Sequence, residues 1–405
     1  MAGGNDLDIR RIPLWESRNA TYMSNNLVRA IVEDQGEVAI ELSARSIQGG
    51  YVNALSLPYF RGRGIGVLSD QNADWWKSKQ SFYQAGGIYM TFPGKNEDDI
   101  LFSNTYWMVR RYGSDGESGG LWRLSEMKSR QEHNRYWAGK VDLLLPGHPV
   151  LYTLARVTNT GEEDLVYNAE VHSMLCPPFI ESGCFVNTVP ASFTSFAPNF
   201  REVAFNRLRS SARFSDLRHA PSVSGSSIDA SYIPGPTGSY DYLVGEIAAG
   251  EDLGWISVIN PRLQMIYLSF FPTMYSRIDE SVMKSPTIDL AFNLLGRMDS
   301  PWALYEGGTS QVFSLTTGFG RIDHHDTFST PGRFVLKPGE SMDIVSGQAF
   351  TSYDNPRMSN GFYTMEKEEG ALVFKRTKSY LVVPCDYGFT TVRTLSQRLF
   401  QNSQS

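Results

Sequence analysis

Apolar and polar residues alternate along much of the chain with a period of two. Residues 28–33 and 38–42 both show this pattern, with small or branched apolar side chains at every second position. Because successive side chains of a β-strand point to opposite faces, the pattern predicts strands with one buried face. The segment Asp34-Gln35-Gly36 between the two runs predicts a tight turn, and therefore a β-hairpin.

The same pattern continues toward the C-terminus. Residues 150–159 and 165–175 flank a turn-like segment at 159–164, which predicts a second hairpin. Further strand-like runs follow at 254–259, 264–271, 311–320, 332–350 and 370–383. Gly and Pro occur mostly between the runs, as short turns of an antiparallel protein require.

Helical patterns are few in this sequence. Residues 281–295 and 208–217 carry some helical periodicity, and the last ten residues are typical of a frayed tail. The chain is therefore predicted to be all-β, a large antiparallel β-sandwich with few short helices. We expect one domain over residues 1–355 and an extension over 356–405 that packs on the same domain.

Composition narrows the class of partner. Hydrophobic residues make up 41% of the 405 residues, which is enough for a large core. The net charge is −6 and the basic residues are scattered, which argues against a nucleic-acid surface. The chain has three cysteines without a CxxC pair, no leader-like segment and no run near about 18 apolar residues. These features predict a cytoplasmic protein without a membrane span, with a small polar ligand as partner.

One predicted strand carries candidate chemistry. In residues 166–174, alternation places Glu170 and His172 on the same face, together with Asn168 and Met174. An imidazole beside a carboxylate suits proton transfer near neutral pH. The alternative is a structural histidine paired with Glu170. The functional interpretation requires that His172 faces a solvent-accessible hollow of the sheet.

A second histidine segment suggests a metal alternative. In Asp323-His324-His325-Asp326, His324 and Asp326 share a face if the segment is extended. Together with Glu170 and His172, these side chains could hold a divalent cation. The alternative is a turn with exposed histidines.

Aromatic residues beside polar ones suggest a carbohydrate ligand. Tyr89, Trp107 and Tyr242 lie in segments that mix rings with hydrogen-bonding groups. Sugars are recognised by such combinations, because their C–H faces stack on rings and their hydroxyls need donors and acceptors. Each ring taken singly could equally belong to the core.

The order of these motifs over residues 20–350 resembles the aldose 1-epimerase (galactose mutarotase-like) superfamily. The similar segments are a first hairpin at 25–36, GGIYMTFPGK at 86–95, Trp107, the strand with His172, Asp241 in SYDYL and KPGES at 337–341. The resemblance implies a β-supersandwich fold. It also implies that His172 is a general acid and that Lys95 and Asp241 hold sugar hydroxyls.

The sequence departs from the family pattern at two positions. Leu101-Phe102-Ser103-Asn104 occupies the place of the family's histidine–glycine dipeptide, and Thr316 occupies the place of its glutamate base. Threonine cannot accept a proton at neutral pH, so Glu306, Glu170 or a histidine at 324–325 would have to replace the base.

These observations together predict a carbohydrate-active protein with aldose 1-epimerase-like chemistry and no cofactor. The predicted catalytic residues are His172, Glu306 and Glu170, and the predicted substrate-binding residues are Lys95, Asp241, Trp107, Tyr89 and Tyr242. Two alternatives stay open: a metal-dependent sugar isomerase, epimerase or lyase, and a non-catalytic sugar-binding protein that has lost the base.

Overall fold

The computed structural model describes residues 7–14, 19–56, 86–93, 102, 106–129, 135–196, 205–273, 287–296, 313–320, 334–354, 364–376 and 379–401. These residues form 27 strands, which are β1 (Asp8–Pro13), β2 (Asn19–Ser24), β3 (Val28–Glu33), β4 (Ala39–Arg45), β5 (Tyr51–Asn53), β6 (Gly87–Thr91), β7 (Met108–Ser114), β8 (Leu121–Lys128), β9 (Tyr136–Leu144), β10 (Val150–Asn159), β11 (Leu165–Tyr167), β12 (Glu170–Leu175), β13 (Phe185–Thr188), β14 (Ala191–Phe196), β15 (Arg213–Phe214), β16 (Ala220–Pro221), β17 (Ser227–Ile228), β18 (Ser239–Ile247), β19 (Leu253–Asn260), β20 (Met265–Pro272), β21 (Thr287–Leu294), β22 (Phe313–Gly320), β23 (Phe334–Leu336), β24 (Ser341–Ser352), β25 (Thr364–Glu368), β26 (Ala371–Arg376) and β27 (Ser379–Pro384). One α-helix, α1, spans Thr390–Gln401, and a 3-10 turn spans Leu217–His219. In this described part of the chain, no helix is long and apolar enough to cross a bilayer.

Two large antiparallel sheets form the body of the molecule. The twelve-stranded sheet has the order β1-β2-β3-β4-β6-β12-β22-β21-β18-β14-β15, with β5 paired to β4. The eight-stranded sheet has the order β13-β19-β20-β24-β10-β9-β8-β7. Apolar side chains from both sheets join one hydrophobic core. The predicted all-β sandwich is therefore confirmed.

Alternation decides which side chains of the twelve-stranded sheet enter this core. On β12, Val171 and Leu175 belong to the core, and on β21 Leu290 and Phe292 belong to it. The residues between them point to the opposite face, because side chains alternate along a strand. The outer face of the central strands is therefore free to carry polar groups, and His172 lies on it.

The first predicted hairpin is confirmed. Strands β3 and β4 pair antiparallel, and the turn between them contains Gly36 with φ 73° and Glu37 with φ 54°. Positive φ values are easily adopted by glycine, which has no Cβ. The presence of Gly36 is therefore consistent with the turn that the segment Asp34-Gln35-Gly36 predicts.

The second predicted hairpin is wrong. Strand β10 pairs with β9 and β24 in the eight-stranded sheet, whereas β12 pairs with β6 and β22 in the twelve-stranded sheet. The segment between them crosses from one sheet to the other. Asn159 holds this crossing, since its Nδ2 donates to the carbonyls of Glu163 (2.8 Å) and Leu336 (2.7 Å) and its Oδ1 accepts from the amide of Gly161 (2.9 Å).

The predicted strand over 166–174 is interrupted. Residues 165–167 form β11, which pairs with β23 in a separate two-stranded sheet, and β12 begins only at Glu170. Residues 287–294, part of the segment 281–295 with helical periodicity, form the strand β21. Within 208–217 the structure has the short strand β15 rather than a helix. Tertiary pairing overrides weak helical periodicity in these segments.

The expectation of a frayed tail from residue 396 onward is wrong for residues 396–401, which belong to α1. Val392, Leu395 and Leu399 are buried along one side of α1, a spacing typical of an amphipathic helix. The ring of Phe400 packs edge-on against Trp137 at 5.6 Å between centroids.

The helix and the three-stranded sheet β25-β26-β27 cover the eight-stranded sheet. Trp255 of β19 meets Phe374 of β26 at 5.6 Å between centroids, and Phe400 meets Trp137 of β9. On β9, the Lys140 side chain points toward the twelve-stranded sheet, where it contacts Glu37. Trp137 lies three positions before Lys140, so its side chain points to the opposite face, away from that sheet. The described residues beyond 355 thus contact the sandwich, while the domain boundary at 355 stays a prediction.

Candidate functional site

A row of side chains crosses the outer face of the twelve-stranded sheet. Register places Tyr89 of β6 opposite His172 of β12, His172 opposite Gly318 of β22, and Gly318 opposite Asp289 of β21. Glu170 lies two residues before His172 on the same strand, and the next strand, β18, contributes Tyr240 and Tyr242. We call these residues the His172 cluster: Tyr89, Glu170, His172, Tyr240, Tyr242 and Asp289.

The imidazole of His172 lies between two carboxylates. Its Nε2 is 2.7 Å from Oε2 of Glu170, and its Nδ1 is 3.8 Å from Oδ2 of Asp289. An ionised Glu170 only accepts hydrogen bonds, so the pairing places a proton on Nε2. Nδ1 then accepts a hydrogen bond in neutral imidazole and donates one in imidazolium.

Gly318 makes this approach of His172 and Asp289 possible. A Cβ at position 318 would lie 1.7 Å from Oδ1 of Asp289 and 2.7 Å from Nδ1 of His172. Both separations are shorter than atoms tolerate, so any other residue would displace the carboxylate or the ring. The glycine is therefore part of the geometry of the cluster.

The phenols of the cluster stay protonated near neutral pH. Burial raises the pKa of Tyr89 and Tyr242 well above 10.0, and the nearby Asp289 and Glu170 carboxylates raise both pKa values further. The Tyr89 ring also stacks on the His172 ring, with centroids 5.2 Å apart and planes at 19°. Protonated phenols can donate hydrogen bonds to a hydroxyl-rich ligand.

His172 has little solvent exposure, although its functional interpretation requires a solvent-accessible imidazole. The side chain faces away from the hydrophobic core, but His172 is only 5% exposed. The ring lies among carboxylates and phenols, which distinguishes it from a histidine packed in hydrocarbon. The open hollow expected above the imidazole stays a prediction.

The structure brings four of the predicted site residues together, namely Glu170, His172, Tyr89 and Tyr242. Trp107 lies elsewhere, since it is fully buried in the core and its Nε1 donates to the carbonyl of Phe102 at 3.1 Å. It therefore does not reach the outer face that carries His172.

Asp241 is also separated from His172. It alternates with Tyr240 and Tyr242 along β18, so it points to the other face of the sheet. Its Oδ1 accepts from the amides of Arg207 (2.7 Å) and Leu208 (3.3 Å), and its Oδ2 accepts from Nε of Arg207 at 2.5 Å. These contacts fix the 205–208 segment, and a role of Asp241 in substrate binding stays a prediction.

Four predicted residues, Lys95, Glu306, His324 and Asp326, lie outside the described residues. Among the residues that are described, no group of three or more His, Cys, Asp or Glu side chains is arranged to hold a metal ion. Thr316 is described and lies on the outer face of β22, opposite Met174 and Ala291.

Sequence reasoning missed Asp289 and did not include Tyr240 among the site residues. Both could have been found from alternation. In TIDLAFNL, Asp289, Ala291 and Asn293 alternate with apolar residues, which is the pattern of a strand with one polar face. The weak helical periodicity of the surrounding segment concealed this signal.

Comparison with known proteins gives the fold a name. No protein-family model and no curated protein sequence matches the chain. Among solved structures, a galactose mutarotase-like protein from Clostridium acetobutylicum is similar with a TM-score of 0.54 and 13% identity, covering 86% of this chain and 100% of that one. A proposed aldose 1-epimerase from Klebsiella pneumoniae subsp. pneumoniae gives 0.56 and 12%, covering 85% and 83%. A TPR-domain containing protein from Parabacteroides distasonis gives 0.50 and 14%, covering 84% and 48%.

These likenesses establish the architecture. The chain has the galactose mutarotase-like fold, and the resemblance suggested by its motifs is confirmed for the fold. Identities of 12–14% establish nothing about activity. The chemistry must therefore be argued from the residues of the cluster itself.

Proposed function

We propose that the His172 cluster binds a monosaccharide or sugar derivative and catalyses acid/base chemistry at its anomeric centre. The observation that carries the proposal is the position of the His172 imidazole, 2.7 Å from Glu170 and 3.8 Å from Asp289. Interconversion of anomers requires an acid and a base within hydrogen-bond reach of the reacting group. An imidazole and a separate carboxylate supply such a pair.

The remaining groups of the cluster suit a sugar. Protonated phenols of Tyr89 and Tyr242 donate to hydroxyl oxygens, while the carboxylates accept from hydroxyl protons. Such convergence of donors and acceptors is typical of small-molecule sites. Glu170 orients the imidazole through its hydrogen bond to Nε2, as the acidic partner of a catalytic histidine does.

The proposed reaction is the interconversion of anomers. Asp289 takes the proton of the anomeric hydroxyl while His172, in its protonated form, gives the Nδ1 proton to the ring oxygen. The bond between C1 and the ring oxygen breaks, and a carbonyl forms at C1. Rotation about the C1–C2 bond and the reverse proton transfers then close the ring on the other face. Asp289 is the base that the described residues offer, while Glu306 stays a prediction for the same role.

Polarimetry of freshly dissolved α-D-glucose and α-D-galactose tests the proposal. We expect the wild type to accelerate the return to anomeric equilibrium, and His172→Ala to reduce kcat by about 10²–10⁴-fold, the usual contribution of a proton-transfer group. His148→Ala is the matched control, because His148 is a half-buried histidine that is also hydrogen-bonded, to the hydroxyl of Tyr152 at 2.7 Å. Equal rates for wild type and His172→Ala would remove His172 from catalysis.

A non-catalytic sugar-binding protein is the second candidate. The observations that favour it are Thr316 at the position of the family's base and the low exposure of His172. Binding without turnover would raise the melting temperature on addition of sugar, since a ligand that binds only the folded state stabilises it. Such stabilisation in the absence of accelerated mutarotation would favour this candidate over the enzyme.

The metal-dependent alternative rests on His324 and Asp326, which lie outside the described residues. Elemental analysis of untagged protein tests it, and a stoichiometric divalent metal would favour it. The cytoplasmic location and the absence of a cofactor also stay predictions.

A further inference from the structure

A cavity lies between the sandwich and the C-terminal sheet. Its volume is about 650 Å³, and it is lined by β13, β14, the 3-10 turn, the start of β19 and β25. Cavities of roughly 300–1,000 Å³ are typical of small-molecule sites. It shares no lining residue with the His172 cluster. We propose that this cavity binds an uncharged, hydroxyl-rich ligand of about disaccharide size.

A buried amide donor lines this cavity. Asn187 of β13 is a lining residue, and its side-chain Nδ2 is buried with no hydrogen-bond partner among the described residues. An unsatisfied buried donor is unfavourable, so an acceptor supplied by a ligand would relieve this cost. Hydroxyl groups of Thr188, Ser215 and Thr364 also line the cavity. They can both donate to and accept from the hydroxyls of a sugar.

The charges of the lining argue for a neutral ligand. Arg218 is held by Asp216, with Nε at 3.0 Å from Oδ1. The Lys367 ammonium of β25 forms an ion pair with Asp252, which ties the C-terminal sheet to the rim. Both cations therefore already have carboxylate partners, and Glu251 adds a further acceptor to the lining. A phosphate or sulfate group would meet more negative than positive charge here.

Aromatic residues complete the lining. Trp255 and Phe193 contribute apolar surface to the same cavity. Flat rings beside hydrogen-bonding groups match the alternating C–H and hydroxyl faces of a pyranose. Trp255 also contacts Phe374 of the C-terminal sheet, so this sheet helps to shape the site.

Isothermal titration calorimetry of the full chain with maltose and cellobiose tests the proposal. We expect saturable binding of at least one of these disaccharides to the wild type. Asn187→Leu removes the amide but keeps the shape of the side chain, and we expect it to raise Kd about tenfold, the effect of losing one good hydrogen bond. Thr364→Trp fills the cavity from an exposed position on β25, and we expect it to abolish binding.

Two further variants separate this site from the rest of the molecule. Glu366→Trp is the matched control for Thr364→Trp, because Glu366 is exposed on the same strand and does not line the cavity. His172→Ala should also leave binding unchanged, so this proposal can fail or succeed independently of the proposed function. Absence of saturable heat with both disaccharides would overturn it. Binding that survives both Asn187→Leu and Thr364→Trp, or is lost in His172→Ala, would also overturn it.

Discussion

Two buried clusters of charged residues in the described part of the chain differ in how their charges are paired. The first lies between the two sheets and is called the Arg123 network: Arg11, Asp34, Glu37, Arg123, Lys140 and Asp142. Arg123 is fully buried, and its two terminal nitrogens donate to the two carboxylate oxygens of Glu37 at 2.7 and 2.8 Å. Lys140 lies 3.0 Å from Asp142. Burial alone would lower the pKa of Arg123, but Glu37 and Asp142 raise it, so the guanidinium stays charged.

The second cluster contains His172, and its contacts are less complete. Nε2 is hydrogen-bonded to Glu170, whereas Nδ1 stops 3.8 Å from Asp289, which is too long for a hydrogen bond. In the Arg123 network, three acids and three bases pair with one another and connect the two sheets. In the His172 cluster, by contrast, Nδ1 has no hydrogen-bond partner among the described residues. Burial of charge is common to both clusters, so only the geometry of pairing distinguishes the proposed site from the Arg123 network.

The largest expected effect is on stability and comes from the Arg123 network. Arg123→Met leaves Glu37 and Asp142 without their buried guanidinium partner. Breaking a buried ion pair in this way costs about 3–5 kcal/mol in the free energy of unfolding. Urea unfolding followed by circular dichroism measures the loss.

Arg156→Met is the matched control for this variant. Arg156 pairs with Asp343 through Nε at 2.7 Å, but both side chains are 21% exposed. We expect a loss of about 1 kcal/mol or less, as for other exposed pairs. Similar losses in the two variants would show that the Arg123 network does not hold the sheets together.

The next effect separates the two clusters by activity. Asp289→Asn keeps the shape of the side chain but removes the base, so we expect kcat for mutarotation to fall about 100-fold or more. Asp142→Asn makes the same chemical change in the Arg123 network, where Asp142 accepts from Thr153 at 2.8 Å and lies 3.0 Å from Lys140. It should lower the free energy of unfolding and leave kcat of the folded protein unchanged. If Asp142→Asn lowered kcat while Asp289→Asn lowered only stability, the catalytic base would lie in the Arg123 network and not in the His172 cluster.

A smaller effect is expected at Gly318. In Gly318→Ala the new methyl group would collide with Asp289 and His172, at 1.7 and 2.7 Å, so one of them must shift. We expect a loss of about 2 kcal/mol in the free energy of unfolding, within the usual range for overpacking, together with reduced kcat. Gly113→Ala on β7 is the control, since its Cβ would meet only Trp122 at 4.0 Å. If Gly318→Ala had the stability and kcat of the wild type, the close approach of His172 and Asp289 across β22 would not be needed for either property.

The sequence predicted the strands well and their partners less well. Alternation identified β3, β4 and β22, and apolar runs identified β19 and β20, which carry core residues on both faces. It could not show that the chain changes sheets after β10, because the turn-like residues at 159–164 suit a hairpin and a crossing equally. One of the side-chain hydrogen bonds of Asn159 that support the crossing reaches Leu336 of β23, which is more than 170 residues away in sequence.

The candidate site was predicted in part for a similar reason. Glu170 and His172 are two residues apart on one strand, so their pairing is local and readable from alternation. Asp289 comes from β21, and only the β12-β22-β21 register brings it near His172. Asp241 was carried over from a motif, yet its face of β18 points away from the cluster. Long-range register decides both outcomes, and a single sequence does not contain it.

The smallest expected effect is the dependence of stability on alkaline pH, which tests whether the phenols of the His172 cluster are buried beside its carboxylates. The pKa of Tyr242 is raised well above 10.0 by burial and then by Asp289 and Glu170, so the folded protein keeps a proton that the unfolded chain loses. The stabilisation is therefore complete below pH 10 and declines as pH rises above it, by about 1.4 kcal/mol per pH unit for each such tyrosine. Between pH 9 and pH 11, the free energy of unfolding of Tyr242→Phe, measured in urea, should fall by about 1.4 kcal/mol less than that of the wild type.

The same variant measured at pH 8 and pH 9 is its own control, since the phenol is protonated there in both the folded and the unfolded state. Equal losses of unfolding free energy in wild type and variant would mean that Tyr242 ionises as easily in the folded protein as in the unfolded chain. This result would contradict the burial of Tyr242 beside Asp289, and with it the proposed geometry of the His172 cluster.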